Sequence, residues 1–466
     1  MKLKLILFLI LIIFAANVKS QTYNFSSLTQ LFNDSSALYQ GNLFVKIYRN
    51  NDSIYQYQSG AINCNNRRLG IASATKWISA AVFLKLAEKN YFSLDDSIGT
   101  FLPVFTQNGK GHITLRHSYS MSSGVFNAGN NNQYHTDKNL TLAQSVDSIA
   151  ILVPILYPTG TMIGYDGSMM HCWGRVAEIV DSIKGFKRDW RTIARQELFN
   201  LLDMDSTDYT DFLPNPAVAG GIETTPCDYL KFLKMVANNG IYNGDTILSQ
   251  SSINEMFSNQ TNSAPIYHTY WPSNHPDFPP GVDTMKYTFG AWWIELNTLN
   301  GEIEAVTSPG VFGNYPFIDR SRNIYGIFFT YVPVIYGSGL LSINTYLRFL
   351  KTIRDTVDNN SVFAGKYFTE IPEKYSLGQN YPNPFNPITS IKFNVARMDS
   401  DLRRNDRVTL KVFDLLGKEV KTLVNEVLQP GTYSVRFDAG DLPSGVYFYR
   451  LTAGDFSETK KLILLK

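Results

Sequence analysis

Residues 77–87 constrain this chain more than any other stretch. Trp77, Ile78, Ala80, Ala81, Val82, Phe83, Leu84, Leu86 and Ala87 are apolar. At 3.6 residues per turn they cover nearly the whole circumference of a helix, not one stripe, so that helix belongs in the centre of a domain. Just before it stands Ser73-Ala74-Thr75-Lys76. A serine and a lysine three residues apart on a helix share a face, which brings hydroxyl and amine within hydrogen-bond reach. If packing takes the amine out of water its pKa falls, and it becomes a base that can activate the hydroxyl for acyl transfer without histidine. The other reading of the tetrapeptide is a helix-capping serine beside an ordinary solvated lysine.

The same pattern recurs as Ser457-Glu458-Thr459-Lys460, in a segment that reads as β. With a side-chain period of two, residues i and i+3 point to opposite faces and cannot cooperate. The second copy therefore carries no chemistry.

With 466 residues, 44% hydrophobic and 18% charged, the chain has material for two or three domains with sizeable cores. The formal net charge is +2 without a long basic run, which gives no reason to expect a nucleic-acid partner. Its 27 tyrosines and 30 phenylalanines suit β-sheet packing. The three cysteines, Cys64, Cys172 and Cys227, leave at least one free thiol and allow one disulfide of undetermined pairing. None forms a Cys-x-x-Cys pair and no spaced His/Asp/Glu cluster occurs, so neither a metal site nor a cofactor is expected.

Residues 1–20 read as an export signal. Lys2 and Lys4 supply the positive start, Leu5 to Ala16 the apolar segment, and Val18 and Ser20 the small residues before a cut at Gln21. The apolar run is too short for a comfortable membrane span.

The pattern along the chain predicts a hairpin over 41–60, then the helix that starts at Ser73. Helices and loops fill about 100–290, with a Gly/Asn-rich loop at 127–132 and a proline- and aromatic-rich surface loop at 265–281. Strands are expected at 291–296, 302–307, 311–318 and 325–332, and a helix at about 342–353. Strands at both ends with helices between them imply an α+β domain, its antiparallel sheet completed by both termini and a helical lobe inserted. Past about 360, Tyr381-Pro382-Asn383-Pro384-Phe385-Asn386-Pro387 excludes helix and central strand. Short alternating strands follow at 391–395, 408–413, 432–437, 445–452 and 457–465, which describes a small all-β sandwich. The expected division is a signal peptide at 1–20, a catalytic domain at 21–360, a linker at 361–374 and the sandwich at 375–466.

Several stretches then carry a family resemblance. Ser73 to Lys76 is followed by Ser93-Leu94-Asp95-Asp96 with Phe101-Leu102-Pro103, and by Ile113-Thr114-Leu115-Arg116-His117 with Met121-Ser122-Ser123-Gly124. Next come Pro158-Thr159-Gly160 with Tyr165-Asp166-Gly167, Ala219 to Thr225, and Ser308-Pro309-Gly310 ahead of Phe317-Ile318-Asp319-Arg320. In this order they resemble the β-lactamase-related serine hydrolases, which include class C β-lactamases, D-alanyl-D-alanine carboxypeptidases, esterases and amidases. The resemblance implies a β-lactamase/transpeptidase-like fold and an acyl-enzyme on Ser73. Lys76 and Tyr165 would move protons. The backbone N–H groups of Ser73 and Val311 would bind the oxyanion, and Ser308, Gly310 and Gly167 would line the substrate site.

Two positions depart from the family. Gly167 stands where many relatives have asparagine, and Ser308 where lysine or histidine is usual. Loss of a cation at 308 argues against efficient handling of carboxylate-bearing β-lactams and favours esters or other amides. Two other readings stay open: a β-lactamase proper, and a protein that binds peptidoglycan-type peptides without turnover. His117, His171 and His268 are expected to be structural, because no Gly-x-Ser-x-Gly elbow accompanies them.

The C-terminal segment 375–466 resembles the sorting domain of type IX secretion cargo. The match rests on Tyr381 to Pro387, Val412 to Gly417, Gly445 to Tyr449 and Lys460-Lys461-Leu462. It implies recognition by that machinery, passage through the outer membrane, and release or surface attachment.

Overall fold

A computed structural model describes residues 23–65, 67–127, 134–210, 213–261, 264–269, 286–296, 303–332, 338–360, 364–367, 374–396, 407–428 and 431–466. The export signal expected at 1–20 and most of the loops expected at 127–132 and 265–281 lie outside the described residues.

The main sheet is antiparallel and six-stranded. Its strands are β1 (Leu43–Arg49), β2 (Asp52–Ser59), β3 (Trp292–Leu296), β4 (Ile303–Thr307), β5 (Tyr315–Asp319) and β6 (Ile324–Phe329), in the order β3-β4-β5-β6-β1-β2. The N-terminal hairpin thus docks on the last strand of the C-terminal meander, with Val45 opposite Phe328 and Ile47 opposite Gly326. This is the sheet closed by both ends that the order of elements implied.

Helices α1 (Ser26–Asp34) and α6 (Ser338–Asn360) pack together against the sheet. There the Phe32 ring meets Phe349 at 4.5 Å and Phe328 at 6.0 Å. Helix α2 (Thr75–Glu88) is the buried one, with every residue from Thr75 to Leu84 enclosed. Helix α5 (Pro226–Ala237) packs on β5 and β6, and its Phe232 meets Trp77 of α2 edge-on at 5.6 Å. The inserted lobe contains α3 (Leu142–Leu152) and α4 (Ser168–Ile183), which pack against each other.

Two expected elements differ in extent. The strand expected at 311–318 begins only at Tyr315, because a tight turn precedes it: Gly310 N–H donates to the Asn314 carbonyl at 2.8 Å, and Gly313 sits at φ 99°. The helix expected at 342–353 runs from Ser338 to Asn360.

The C-terminal part has its own apolar core, with Ile391, Leu410, Val412, Val435, Phe437, Tyr449 and Leu462 among its buried residues. Two four-stranded sheets enclose it. One holds Ala364–Tyr367, Gly431–Asp438, Ile388–Val395 and Ser376–Leu377; the other holds Glu419–Val427, Arg407–Phe413, Gly445–Ala453 and Phe456–Leu464. Ala364–Tyr367 falls inside the segment expected as a linker, yet it pairs with Gly431–Asp438. The second Ser-x-x-Lys lies in the last strand, where Lys460 pairs its charge with Glu458 two residues away at 3.1 Å. Serine and lysine are on opposite faces there, as a period of two requires.

Cys64 and Cys227 form a disulfide that spans 163 residues and joins the loop after β2 to the first turn of α5. Cys172 is free and buried in α4. A cross-link over so long a loop restricts the unfolded chain strongly. The double substitution Cys64→Ser/Cys227→Ser is expected to cost about 2–5 kcal/mol of stability, read as a lower urea midpoint. An unmoved midpoint would show that the bond constrains little.

Candidate active site

Ser73 lies in a single 3-10 turn, Ala72–Ala74, that runs straight into α2. Ala72 has φ 46°, a left-handed conformation that costs a residue with a side chain about 1–3 kcal/mol. Surrounding bonds hold the turn in place. Ile71 N–H donates to the Ile222 carbonyl at 3.0 Å, Ile222 N–H to Thr75 Oγ1 at 3.2 Å, and the Tyr229 hydroxyl to the Ala74 carbonyl at 2.9 Å.

Lys76 follows one turn later, its Nζ 2.9 Å from Ser73 Oγ and 2.9 Å from the Ala219 carbonyl oxygen. Only 4% of Lys76 is exposed, because it belongs to the apolar central helix. Burial lowers its pKa from 10.5 to about 8, against the opposing pull of the Asp166 carboxylate. Asp166 itself accepts from Ser168 N–H at 2.7 Å and Asn127 N–H at 3.0 Å.

Tyr165 brings its ring to the same place, with Lys76 Nζ 5.2 Å from the ring centroid. It follows the short strand Ile163–Gly164, which pairs in parallel with Ile266–His268. The described start of the segment expected as a surface loop is therefore a strand, and Tyr165 N–H donates to the His268 carbonyl at 3.1 Å. Trp292 stacks on the Tyr165 ring at 5.1 Å, and Tyr287 meets it edge-on at 5.9 Å. An aromatic wall thus fixes the direction of the phenol.

The third segment reaches Ser73 from the end of β4. Ser308 is buried, and its hydroxyl donates to the Ser73 carbonyl at 3.3 Å. Its side chain thus braces the turn that carries Ser73. Gly310 packs on the same turn: a methyl group there would fall on the Ile71 carbonyl oxygen. Val311, the next residue, is 42% exposed at the edge of the turn. The first turn of a helix leaves backbone N–H groups without intrahelical partners, and Ser73 occupies such a position.

Gly167 caps α4, and the side chain it lacks would enter occupied space. A Cβ there would stand 3.2 Å from Cδ2 and Nε2 of His135 and 3.2 Å from Ala219 Cβ. His135 is a residue that sequence reasoning did not reach. It sits on a short 3-10 turn, Tyr134–Thr136, directly after the Gly/Asn-rich loop. The only hint in the sequence was the empty position 167 itself. His117 and His171 are each held by hydrogen bonds within the fold. His117 completes a capping box with Thr114. His171 Nδ1 accepts from Val218 N–H at 3.1 Å, and its Nε2 lies 3.0 Å from Ser145 Oγ.

A family model described as Beta-lactamase matches residues 42–333. The chain belongs to the beta-lactamase family. Residues 379–465 match the Secretion system C-terminal sorting domain, so this serine-hydrolase fold is joined to the sorting domain of type IX secretion cargo. Among solved structures, a candidate beta-lactamase from Bacteroides dorei is similar at 25% identity and TM-score 0.62, covering 72% of this chain and 100% of its own. Two penicillin-binding protein homologues share the fold. The octameric one from Pyrococcus abyssi has 14% identity and TM-score 0.53 and covers 94% of this chain and 100% of its own. The one from Caulobacter crescentus has 15% identity and TM-score 0.51 and covers 71% and 97%. No curated protein matches the chain.

Gly310→Ala tests how tightly the third segment grips the nucleophile turn. Overpacking of this kind costs about 1–3 kcal/mol, so the melting temperature should fall by several degrees. An unchanged value would mean that the two segments separate freely.

Proposed function

We propose that this protein is an exported serine hydrolase that cleaves an ester or amide through an acyl-enzyme on Ser73. The observation that carries the reading is the buried Lys76 amine, 2.9 Å from Ser73 Oγ with its pKa drawn down to about 8. The neutral amine has two N–H donors and one lone pair. With one N–H donated to the Ala219 carbonyl, the lone pair of the neutral form is left able to accept the Ser73 hydroxyl proton.

In the acylation step the Ser73 oxygen attacks the acyl carbon and its proton passes to Lys76. Tyr165 delivers a proton to the departing alcohol or amine as the old acyl bond breaks. The backbone N–H groups of Ser73 and Val311 receive the negative charge that develops on the carbonyl oxygen. Water then attacks the acyl-enzyme, the proton path runs in reverse, and Ser73 is restored with release of a carboxylic acid. No cofactor takes part.

Esters and neutral amides fit better than β-lactams, because Ser308 offers no cation for a substrate carboxylate and its hydroxyl is already engaged. Nitrocefin is accordingly expected to turn over far more slowly than p-nitrophenyl esters. The C-terminal domain would hand the folded enzyme to the type IX machinery, for release or attachment at the cell surface.

Ser73→Ala should abolish both fluorophosphonate labelling and p-nitrophenyl ester hydrolysis. Wild-type protein that is folded yet unlabelled would point instead to a binder of peptidoglycan-type peptides. The sign of the pH dependence follows from Lys76. Below about pH 8 the amine is an ammonium and cannot take the Ser73 proton. Hence kcat/KM should climb about tenfold per pH unit and level off above a midpoint near 8. A flat profile from pH 6 to 9 would remove Lys76 as the base.

A further inference from the structure

The gap at position 167 and the imidazole that fills it suggest a role for His135. The ring stands where a side chain from Gly167 would project, 3.2 Å from that chain's Cβ position. Its Nδ1 is enclosed and has no hydrogen-bond partner among the described residues. An enclosed polar atom without a partner costs about 1–3 kcal/mol, so something else must keep the ring there.

That something is a built support. The Tyr134 carbonyl accepts from Ser145 Oγ at 2.7 Å and from Asn215 Nδ2 at 3.3 Å, and Asn215 Nδ2 also reaches the Asp137 carbonyl at 3.1 Å. Ser145 Oγ is in turn 3.0 Å from His171 Nε2. His171 Nδ1 accepts from Val218 N–H, so the ring proton lies on Nε2 and points at Ser145. An ordered chain therefore runs from Val218 through His171 and Ser145 to the turn that carries His135. Val218 precedes Ala219, the residue whose carbonyl receives the Lys76 amine. One relay positions both the acceptor of Lys76 and the imidazole.

The charged and titratable groups that act on His135 are Lys76, Asp166 and His171. Burial lowers the pKa of His135 to about 4, so the ring is neutral whenever the enzyme works.

We propose that His135 is a positioning residue, its imidazole filling the space in front of Gly167 and closing the surroundings of the Lys76 amine against water. This rests on the acyl-enzyme reading above for its activity readout only.

The test uses His135→Ala, Gly167→Asn and the double variant, each checked for an unchanged melting transition. Two readouts are taken: kcat/KM for a p-nitrophenyl ester against pH, and the titration midpoint of Lys76 followed by carbon-13 NMR of labelled lysine, assigned with Lys76→Met. In His135→Ala, water enters and both midpoints should rise by about one unit, with about a tenfold loss of kcat/KM at pH 7. Gly167→Asn alone should also lose activity, because the new side chain meets the imidazole. In the double variant asparagine fills the vacated space, and both midpoints should return towards the wild-type value. Unmoved midpoints in His135→Ala would overturn the proposal, as would an activity loss that adding Gly167→Asn does not reverse. If wild type hydrolyses no ester, the acyl-enzyme reading fails, while the NMR midpoint still decides the role of His135.

Discussion

The architecture depends on the burial of one amine. Lys76 sits on a helix whose surroundings are apolar almost everywhere, and the Ser73 hydroxyl and one backbone carbonyl are its hydrogen-bond partners. An ammonium in such a place is costly, and the pKa falls until the neutral form is within reach near neutral pH. The Asp166 carboxylate limits the fall. It belongs to the same dipeptide as Tyr165, so the residue that moderates the base is covalently tied to the phenol that would share its proton.

Everything around the turn at 72–74 exists to keep it still. Main-chain bonds from Ile222, a hydroxyl from α5 and a hydroxyl from the end of β4 converge on four of the five residues 71–75. Several of these contacts come from residues more than a hundred positions away, which explains how Ala72 holds a left-handed conformation. Ser308 changes meaning in this setting. At this position the chain places a small hydroxyl that ties the end of β4 to the turn carrying Ser73.

Much of this was legible in the sequence because periodicity reports burial. The continuous apolar run announced α2, and alternation announced the hairpin and most strands of the sandwich. Glu419–Val427 escaped because its alternation is broken: Leu423 and Val424 are adjacent and both buried. The late start of β5 escaped because Val311 and Phe312 look like strand residues, whereas Gly310 and Gly313 decide the turn. Ser73, Lys76 and Tyr165 were visible through motif order. His135 was not, since a histidine after a polar loop has no local pattern, and its place is set by Ser145, Asn215 and His171 from elsewhere in the chain.

The disulfide also reaches the chemistry. Cys227 opens the helix whose Tyr229 hydroxyl holds the Ala74 carbonyl, one residue beyond the nucleophile. Without the disulfide the start of the helix is held by packing and by hydrogen bonds, among them Cys227 N–H to the Cys64 carbonyl at 3.0 Å and Ser206 N–H to the Asp228 carboxylate at 2.8 Å. The disulfide therefore fixes the start of the helix that holds the turn bearing Ser73.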